Sequence, residues 1–424
     1  MKHRFYSLVF LSLLFVCCSK ESEISLDKKK DYSKYVSMSE ARADIENLIA
    51  MIPSATKAAD GRRVISDSWT TSVATKSVGS EAEVYVFNFK DSLGYAIVSN
   101  DARIGLIGLA MEGNFDSSSE ITNPGLIVAL SNAQSVLTYV DSLDVPHEPV
   151  ITYEYGEWEN VFSAPAGGYC PVKWGQGSPY NQYCFTSDGQ RAVTGCVATA
   201  VAQLMSIYQY PTYYSGYYFN WNNMILNAST TDDSGNYSVG ILMQQLGITS
   251  NLDMDYGVSS SGAYPENIPR TLSNFGYTNG GSLNDYSTYT IVSELESGYP
   301  VLVGGYDTKH TTVKKNIFGK VVSTTYSYEG GHRWLAHGLL NRRRLVSQYE
   351  DGIYVGSYYQ NTYFILCNFG WNGADDGYYA NWAFDKNAGP VYSESIRTRG
   401  TSTTTESDPY NYKFKVTAVT GIRR

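Results

Sequence analysis

Hydrophobic positions in the first third of the chain follow helical and strand spacing in turn. Residues from about Met38 to Ile52 have helical spacing, Ser37 and Glu40 stand at capping-box positions, and Pro53 ends the helix. VYVFNF and GYAIVSND, separated by KDSL, predict a hairpin, and IGLIGLAMEGNF predicts a further strand. Helical periodicity returns in residues 125–143. This part of the chain therefore predicts a small α+β unit.

The chain from Cys170 onward is rich in glycine and tyrosine and predicts a larger, β-rich unit. VATAVAQLMSIYQ, which follows Thr194 and Gly195 and stops at Pro211, is apolar on nearly all faces as far as Gln203. This pattern predicts a buried central helix. YPVLVGGY, VVSTTYSY, TYFILCNF and YKFKVTAV predict strands. We expect one long helix packed against a β-rich half.

Two segments lie outside these units. Proline and polar residues interrupt residues 146–168, which predicts an irregular linker or processing region. The N-terminus, MKHRFYSLVFLSLLFVCCSKES, has a basic start, a short apolar core and a polar run. This is the layout of a secretory signal that is too short to span a bilayer as a mature helix. We expect residues 1–18 to be a signal peptide and residues 19–34 a flexible spacer.

The end of the signal, LFVCCSK, resembles a bacterial lipoprotein processing site. Cys18 is the expected lipidated residue, although the adjacent Cys17 leaves the position open by one residue. An ordinary cleaved signal with incidental cysteines is the alternative interpretation. Both interpretations predict export: to the outer membrane or cell surface with lipid, or to the periplasm or medium without it.

Composition and charge narrow the function classes. The 424-residue chain is 43% hydrophobic and 17% charged, as is typical of globular proteins. Its formal net charge of -9 provides no basic surface, so we expect no nucleic-acid partner. The cysteines after the signal lack CxxC spacing, so we expect no zinc site. Whether Cys170 and Cys184 form a disulfide is left open, because exported proteins form disulfides and spacing alone does not decide pairing.

The strongest candidate for chemistry is Cys196, near the start of the central helix. The helix dipole and free N–H groups there favour the thiolate, and a neighbouring imidazole would make it a nucleophile. EGGHRWLAHGLL carries His332 and His337, which point to opposite faces if the segment is a strand, so only one can meet Cys196. Gly331, just before His332, permits the close approach that a cleft requires. The alternative is a silent core cysteine and locally bonded histidines.

Two further residues complete a candidate site. CNFGWNG supplies Asn368, and WGQGSPYN supplies Gln176 shortly before the helix. An imidazole needs a group that orients it, and an oxyanion needs a donor. Both residues are also common in turns, which is the alternative interpretation. The order Gln, Cys, His, Asn is nevertheless that of papain-type enzymes, and the chain contains no GxSxG motif.

The chain resembles the streptopain-type cysteine peptidases (family C10), secreted bacterial enzymes with a papain-like core and an N-terminal propeptide. QGSPYN, TGCVATAVAQLM, FNWNNM, MDYG, NFGY, GGH and NFGWNG before DDGYY occur in the family order over most of residues 174–382. Upstream, GYAIVSNDARIGLIGLAMEGNF is similar to the family's propeptide. The implied architecture is α+β: an inhibitory α+β propeptide at residues 35–155, then a papain-like peptidase domain at residues 156–424.

The resemblance implies four catalytic positions: Cys196 as nucleophile, His332 as acid–base partner, Gln176 as oxyanion donor and Asn368 as the residue that orients the imidazole. It also implies three positions in the surrounding cleft: Gly195, Gly331 and Trp371. No metal or cofactor is needed. The implied protein is a secreted or lipid-anchored endopeptidase made as a zymogen, with its propeptide as an intramolecular inhibitor and proteins or peptides as substrates.

Three positions depart from the family pattern. Phe369 replaces a common tryptophan, Arg333 replaces a small residue, and His337 replaces an aspartate. The last two change the charge near the cleft, which puts inherited substrate preference in doubt. These departures leave two alternatives open: a surface adhesin or inhibitor-like binding protein without turnover, and a papain-like amidase or acyltransferase.

Overall fold

Antiparallel pairing joins most of the strands into one large sheet. The computed structural model describes residues 35–53, 62–74, 81–116, 121–130, 151–228, 233–315, 321–384, 402–407 and 411–424. Seven helices lie in these ranges: α1 Met38–Ala50, α2 124–130, α3 Cys196–Tyr208, α4 Trp221–Asn227, α5 Asp233–Gly247, α6 Asn267–Asn274 and α7 Thr288–Glu296.

The strands of the described residues begin in the N-terminal part with β1 Ile65–Ala74, β2 Glu81–Phe89, β3 Tyr95–Ser99, β4 Leu106–Ala110, β5 Ile151–Tyr155 and β6 Glu159–Phe162. They continue with β7 Tyr213–Tyr214, β8 Tyr217–Tyr218, β9 Asn279–Asp285, β10 Val301–Lys315, β11 Val321–Glu350, β12 Ile353–Asn368, β13 Gly377–Ala380, β14 Ser402–Ser407 and β15 Phe414–Arg423. The large sheet has the order β1-β2-β3-β4-β13-β12-β11-β10-β15-β9, with β14 beside β10 and with β5 and β6 beside β11.

The pairing of β4 with β13 connects the N-terminal unit (described residues between 35 and 130) to the rest of the molecule. Gly377 pairs with Ala110, and Tyr379 pairs with Gly108. A Cβ atom at Gly108 would lie 2.7 Å from the Leu126 side chain, so a glycine is needed where α2 crosses this strand. The sheet therefore passes without interruption from the N-terminal unit into the C-terminal part.

Helix α3 packs on the sheet through an apolar cluster. Its residues from Val197 to Ser206 are all buried, and they share a core with Leu302, Leu335 and Val419 of β10, β11 and β15. Burial of such side chains contributes about 1.5–3 kcal/mol each, so this contact holds the helix firmly. The α+β class, with a central helix on a β-rich half, is thus confirmed.

Most local predictions agree with the structure. Ser37 and Glu40 form the expected capping box of α1, and β2 and β3 form the expected hairpin. The predicted helix over residues 125–143 is present in the described residues 124–130, and its remainder lies outside them. The signal peptide and spacer of residues 1–34 also lie outside the described residues.

The prediction of an irregular segment over residues 146–168 is wrong in part. β5 and β6 lie in this segment and pair with the distal end of β11, where Val346 opposes Tyr155 and Arg342 opposes Asn160. Each strand is only four or five residues long, and its formation depends on the partner strand.

No described helix is both long enough and apolar enough to cross a membrane.

Candidate active site

Cys196 is the first residue of α3. The N-cap Gly195 has a φ of 82°, which favours glycine, and a Cβ atom there would lie 2.5 Å from the Met254 methyl and 2.7 Å from the Ser261 carbonyl oxygen. The chain therefore turns tightly into the helix only with glycine at this position. The turn places the Cys196 thiol at the positive end of the α3 dipole.

The Cys196 thiol lies beside the residue that follows His332. Burial raises its pKa, whereas the main-chain N–H and positive charge of Arg333 and the first N–H groups of α3 act in the opposite direction. Within the described residues, Cys196 and His332 form no hydrogen bond with each other. In this form of the molecule the thiol is therefore protonated at neutral pH.

His332 is held by the main chain. Its Nε2 lies 3.0 Å from the carbonyl oxygen of Phe369. A carbonyl only accepts, so Nε2 carries the proton of the neutral ring and Nδ1 is left as the base. Burial lowers the pKa of His332 to about 4, which makes the neutral ring the resting form.

Four aromatic rings enclose the imidazole of His332. Their centroids lie 4.8–6.2 Å from that of the imidazole, and they belong to Trp334, Phe369, Trp371 and Tyr412. Phe369, which replaces the family's tryptophan, keeps an aromatic ring in this shell. Tyr412 comes from the segment just before β15, and no motif in the sequence points to it.

The Asn368 side chain forms no hydrogen bond with His332. Its Nδ2 donates to the Val172 carbonyl oxygen at 3.0 Å, and its Oδ1 accepts from the Gly370 N–H at 3.0 Å. The Gly370 N–H belongs to the same peptide unit as the Phe369 carbonyl. Asn368 therefore acts on His332 only through this peptide unit, in place of the direct contact that the sequence predicts.

Gln176 lies in the loop beside the start of α3. Its carbonyl oxygen accepts from the Thr194 N–H at 2.9 Å, two residues before Cys196. Gly175 permits a close approach to the β12–β13 loop (residues 369–376), because a Cβ atom there would lie 2.5 Å from Asn372 Oδ1. The half-buried Gln176 is thus hydrogen-bonded to the turn that precedes Cys196.

Gly331 and Trp371 border the same region. Gly331 opposes Tyr306 across the β10–β11 pair, and a Cβ atom there would lie 2.9 Å from the Tyr306 ring. Trp371 lies against His332, with 4.8 Å between their ring centroids. Gly195 and Gly331 therefore directly precede Cys196 and His332 in the chain, and Trp371 contacts the His332 ring.

Arg333 is a buried cation beside the Cys196 thiol. Its guanidinium donates to the carbonyl oxygens of Leu302 and Thr417 at 3.1 and 3.2 Å and to Thr417 Oγ1 at 3.0 Å. Gly304 makes room for it, since a Cβ atom there would lie 2.6 Å from Arg333 Nε. Burial lowers its pKa to about 10, which leaves it charged at neutral pH. Among the described residues it forms no salt bridge with a carboxylate.

His337 adds no positive charge to the cleft. It is the extra residue at a bulge in the β11–β12 pairing, and its Nδ1 accepts the Cys170 N–H at 3.0 Å. Burial lowers its pKa to about 3, so the ring is neutral. The bulge turns His337 toward the segment before α3, whereas His332 directly precedes Arg333, whose N–H meets the Cys196 thiol.

The remaining cysteines and acidic groups form no second centre in the described part of the chain. Cys170, Cys184, Cys196 and Cys367 are all free thiols, so the open Cys170–Cys184 pairing is not made in this structure. No group of three or more histidine, cysteine, aspartate or glutamate residues there is arranged to hold a metal ion.

Comparisons with known proteins agree with the resemblance seen in the motifs. The Peptidase C10 family model matches residues 174–379. Streptopain of Streptococcus pyogenes is 25% identical over 350 residues, which cover 71% of this chain and 74% of streptopain. The thiol protease/hemagglutinin PrtT of Porphyromonas gingivalis is 28% identical over 228 residues, or 45% of this chain and 25% of that protein.

Two solved structures of Prevotella intermedia proteins are also similar. A prointerpain A fragment matches with a TM-score of 0.48 and 22% identity, over 84% of this chain and 99% of the fragment. Active wild-type interpain A matches with a TM-score of 0.33 and 27% identity, over 50% of this chain and 84% of that chain.

Proposed function

We propose that this chain, which belongs to the Peptidase C10 family and is a cysteine peptidase, is an exported zymogen whose mature form cleaves proteins internally through Cys196 and His332. The observation that carries the catalytic assignment is the hydrogen bond from His332 Nε2 to the Phe369 carbonyl. This bond leaves Nδ1 free to act as a base. His332 lies in β11, and Arg333, the next residue of that strand, directs its N–H at the Cys196 sulfur.

The reaction begins with transfer of the Cys196 proton to Nδ1 of His332. The thiolate then attacks the carbonyl carbon of the scissile peptide, and the oxyanion accepts hydrogen bonds from the Gln176 side chain and the Cys196 N–H. The imidazolium returns its proton to the leaving amine, and water releases the acyl group from sulfur. Asn368 keeps the Phe369 carbonyl aimed at Nε2 throughout, through the Gly370 N–H.

The N-terminal unit is the proposed inhibitor of the zymogen. The pairing of β4 with β13, the hydrogen bond from the Met111 N–H to the Asp376 carbonyl at 2.8 Å, and the Lys173–Glu112 ion pair support this role. A cavity of about 530 Å³ between the unit and the β12–β13 loop is lined by both Phe115 and Trp371. The unit thus covers the aromatic shell of His332, and its removal follows cleavage before the peptidase domain, near residue 155.

Export of the chain rests on the signal-like residues 1–18, with Cys18 as the proposed lipid site and Cys17 as its alternative. Lipidation would hold the enzyme at the outer membrane or cell surface, with residues 19–34 as a spacer. Protein substrates would then be cleaved outside the cytoplasm.

The proposal is tested with the chain from Ser19 onward, as wild type, as Cys196→Ala and as the control Cys184→Ser. Under reducing conditions we expect wild type and the control to cleave casein, to cut the segment before residue 156, and to bind an epoxide thiol inhibitor. Cys196→Ala should do none of these. A wild type that stays intact, inactive and unlabelled would instead favour a binding protein on the same fold.

A further inference from the structure

We propose that Asp376 is a positioning residue for His332, acting through the main chain of Phe369. This inference rests on the proposed acid–base role of His332. It assigns a task to the second aspartate of DDGYY, a carboxylate that is buried in the structure.

The geometry centres on Phe369, whose two main-chain polar groups serve different partners. Its N–H donates to Asp376 Oδ1 at 3.0 Å, and its carbonyl accepts from His332 Nε2 at 3.0 Å. Asp376 is 6% exposed, so water does not compete freely for this carboxylate. The Asp376 side chain thereby closes the β12–β13 loop at its base, just beyond the pairing of Cys367 with Gly377.

Two anchors determine where the Phe369 carbonyl points. Asp376 holds the N–H on one side of Phe369, and Asn368 Oδ1 holds the Gly370 N–H on the other. The carbonyl itself lies in the Phe369–Gly370 peptide plane, and Asp376 holds the adjoining Asn368–Phe369 plane, so release of either bond gives the carbonyl freedom to turn away from the imidazole. Loss of the Asp376 anchor leaves the bond from the Gly370 N–H to Asn368 as the remaining anchor of the two beside Phe369, next to Gly370 in a left-handed conformation. The His332 ring would then lose its fixed orientation and its fixed tautomer.

The protonation state of Asp376 should make the strength of this anchor depend on pH. Burial raises its pKa to about 7, and the bond from the Phe369 N–H opposes that rise. The titratable and charged groups near it are Lys173, Asp375, Cys170 and Cys367, with Glu112 of the N-terminal unit paired to Lys173. The ionised carboxylate is the stronger acceptor, so the anchor strengthens as pH rises through this range.

The test compares Asp376→Ala, Asp376→Asn and the neighbouring control Asp375→Asn in the processed enzyme. Asp376→Ala should lower kcat about 10- to 100-fold with less than a twofold change in KM, because misorientation affects the transition state more than binding. Asp376→Asn keeps an acceptor oxygen and should recover most of kcat, but it should lose the part of the kcat–pH profile that titrates near 7. Asp375→Asn should match wild type in kcat and KM and should keep the titration near 7, moved slightly toward lower pH, because the Asp375 charge raises the pKa of Asp376.

A second readout needs no turnover. In the unprocessed chain with labelled histidines, the His332 Nε2–H proton signal should shift in Asp376→Ala and stay close to wild type in Asp376→Asn and Asp375→Asn. An unchanged signal in Asp376→Ala, or an unchanged pH profile in a folded Asp376→Asn, would overturn the inference. Inactive wild type with the expected signal shifts would refute the proposed function and leave the positioning role standing.

Discussion

At the residue scale, burial opposes formation of a thiolate–imidazolium pair in this form of the chain. It raises the pKa of Cys196 and lowers the pKa of His332 to about 4, so proton transfer between them is unfavourable. Among the residues that the structure describes, Arg333 is the charged group that favours the thiolate, and its guanidinium donates to carbonyl and hydroxyl oxygens. Arg333 therefore acts to lower the pKa of the proposed nucleophile.

Replacement of this cation should be visible in the reactivity of the thiol. In Arg333→Ala the pKa of Cys196 should rise, because a positive charge beside the thiolate is lost. Alkylation of the unprocessed chain by iodoacetamide, followed by mass spectrometry as a function of pH, measures this directly. Arg343→Ala, at a half-exposed arginine on the same strand, is the control and should leave the profile unchanged. If the alkylation–pH profile of Arg333→Ala were identical to that of wild type, Arg333 would have no effect on the pKa of Cys196.

At the element scale, β11 links the active site to the N-terminal unit. His332 lies in its middle, and Arg342 at its distal part is 1% exposed and is paired with Asp44 of α1 at 2.5 Å. Arg342 also donates to Asn160 Oδ1 at 2.9 Å and lies over the Trp158 ring. One strand therefore carries both the proposed acid–base residue and the anchor of α1. Cleavage near residue 155 would not by itself break these contacts.

Removal of the Asp44 carboxylate should destabilise the chain. Asp44→Ala leaves a buried guanidinium without its anion, and because the Asp44 side chain is 24% exposed we expect a loss of about 1–3 kcal/mol in the free energy of unfolding. Glu46→Ala breaks the exposed Arg42–Glu46 pair on the same helix and should cost less than about 0.5 kcal/mol. Denaturant titration of the full chain distinguishes the two. Equal losses in the free energy of unfolding for the two variants would show that the Asp44–Arg342 pair contributes little to stability.

At the scale of the whole molecule, buried ionisable groups act on stability in opposite directions. His332 and His337 bind fewer protons when folded, with pKa values lowered to about 4 and 3, so acidification below about 6.5 destabilises the fold. Asp375 and Asp376 bind more protons when folded, with pKa values raised to about 6 and 7, so they favour the folded state as pH falls. Comparing wild type with a variant of one residue isolates the contribution of that residue to the pH dependence of stability. The contributions of the other groups are present in both proteins and cancel.

His337→Asn isolates the histidine contribution. The unfolded state of wild type protonates His337 below about pH 6.5 and the folded state only near 3, so stability falls as pH decreases through this window. The amide oxygen of the variant can accept the Cys170 N–H without titrating. Its Tm should therefore decrease less than that of wild type between pH 6.5 and 4. A Tm curve for His337→Asn that runs parallel to that of wild type over this pH range would contradict the prediction.

Local features of this protein were determined by the sequence itself. The capping box at Ser37 and Glu40 and the buried α3 behind Gly195 follow from residues close together in the chain. The assignment of Cys196 and His332 rests on separate motifs in the family order and stays a prediction. Caps and apolar periodicity act within a few residues, so they can be predicted without the rest of the molecule.

Only the tertiary structure decided how His332 is held and how the two parts of the chain join. The group on Nε2 is the carbonyl of Phe369, which no residue identity can reveal because every residue has a main-chain carbonyl. Asp376, the pairing of β4 with β13, and the short strands β5 and β6 likewise depend on segments far apart in the chain. Their register is set by packing over long sequence separations, which local spacing does not encode.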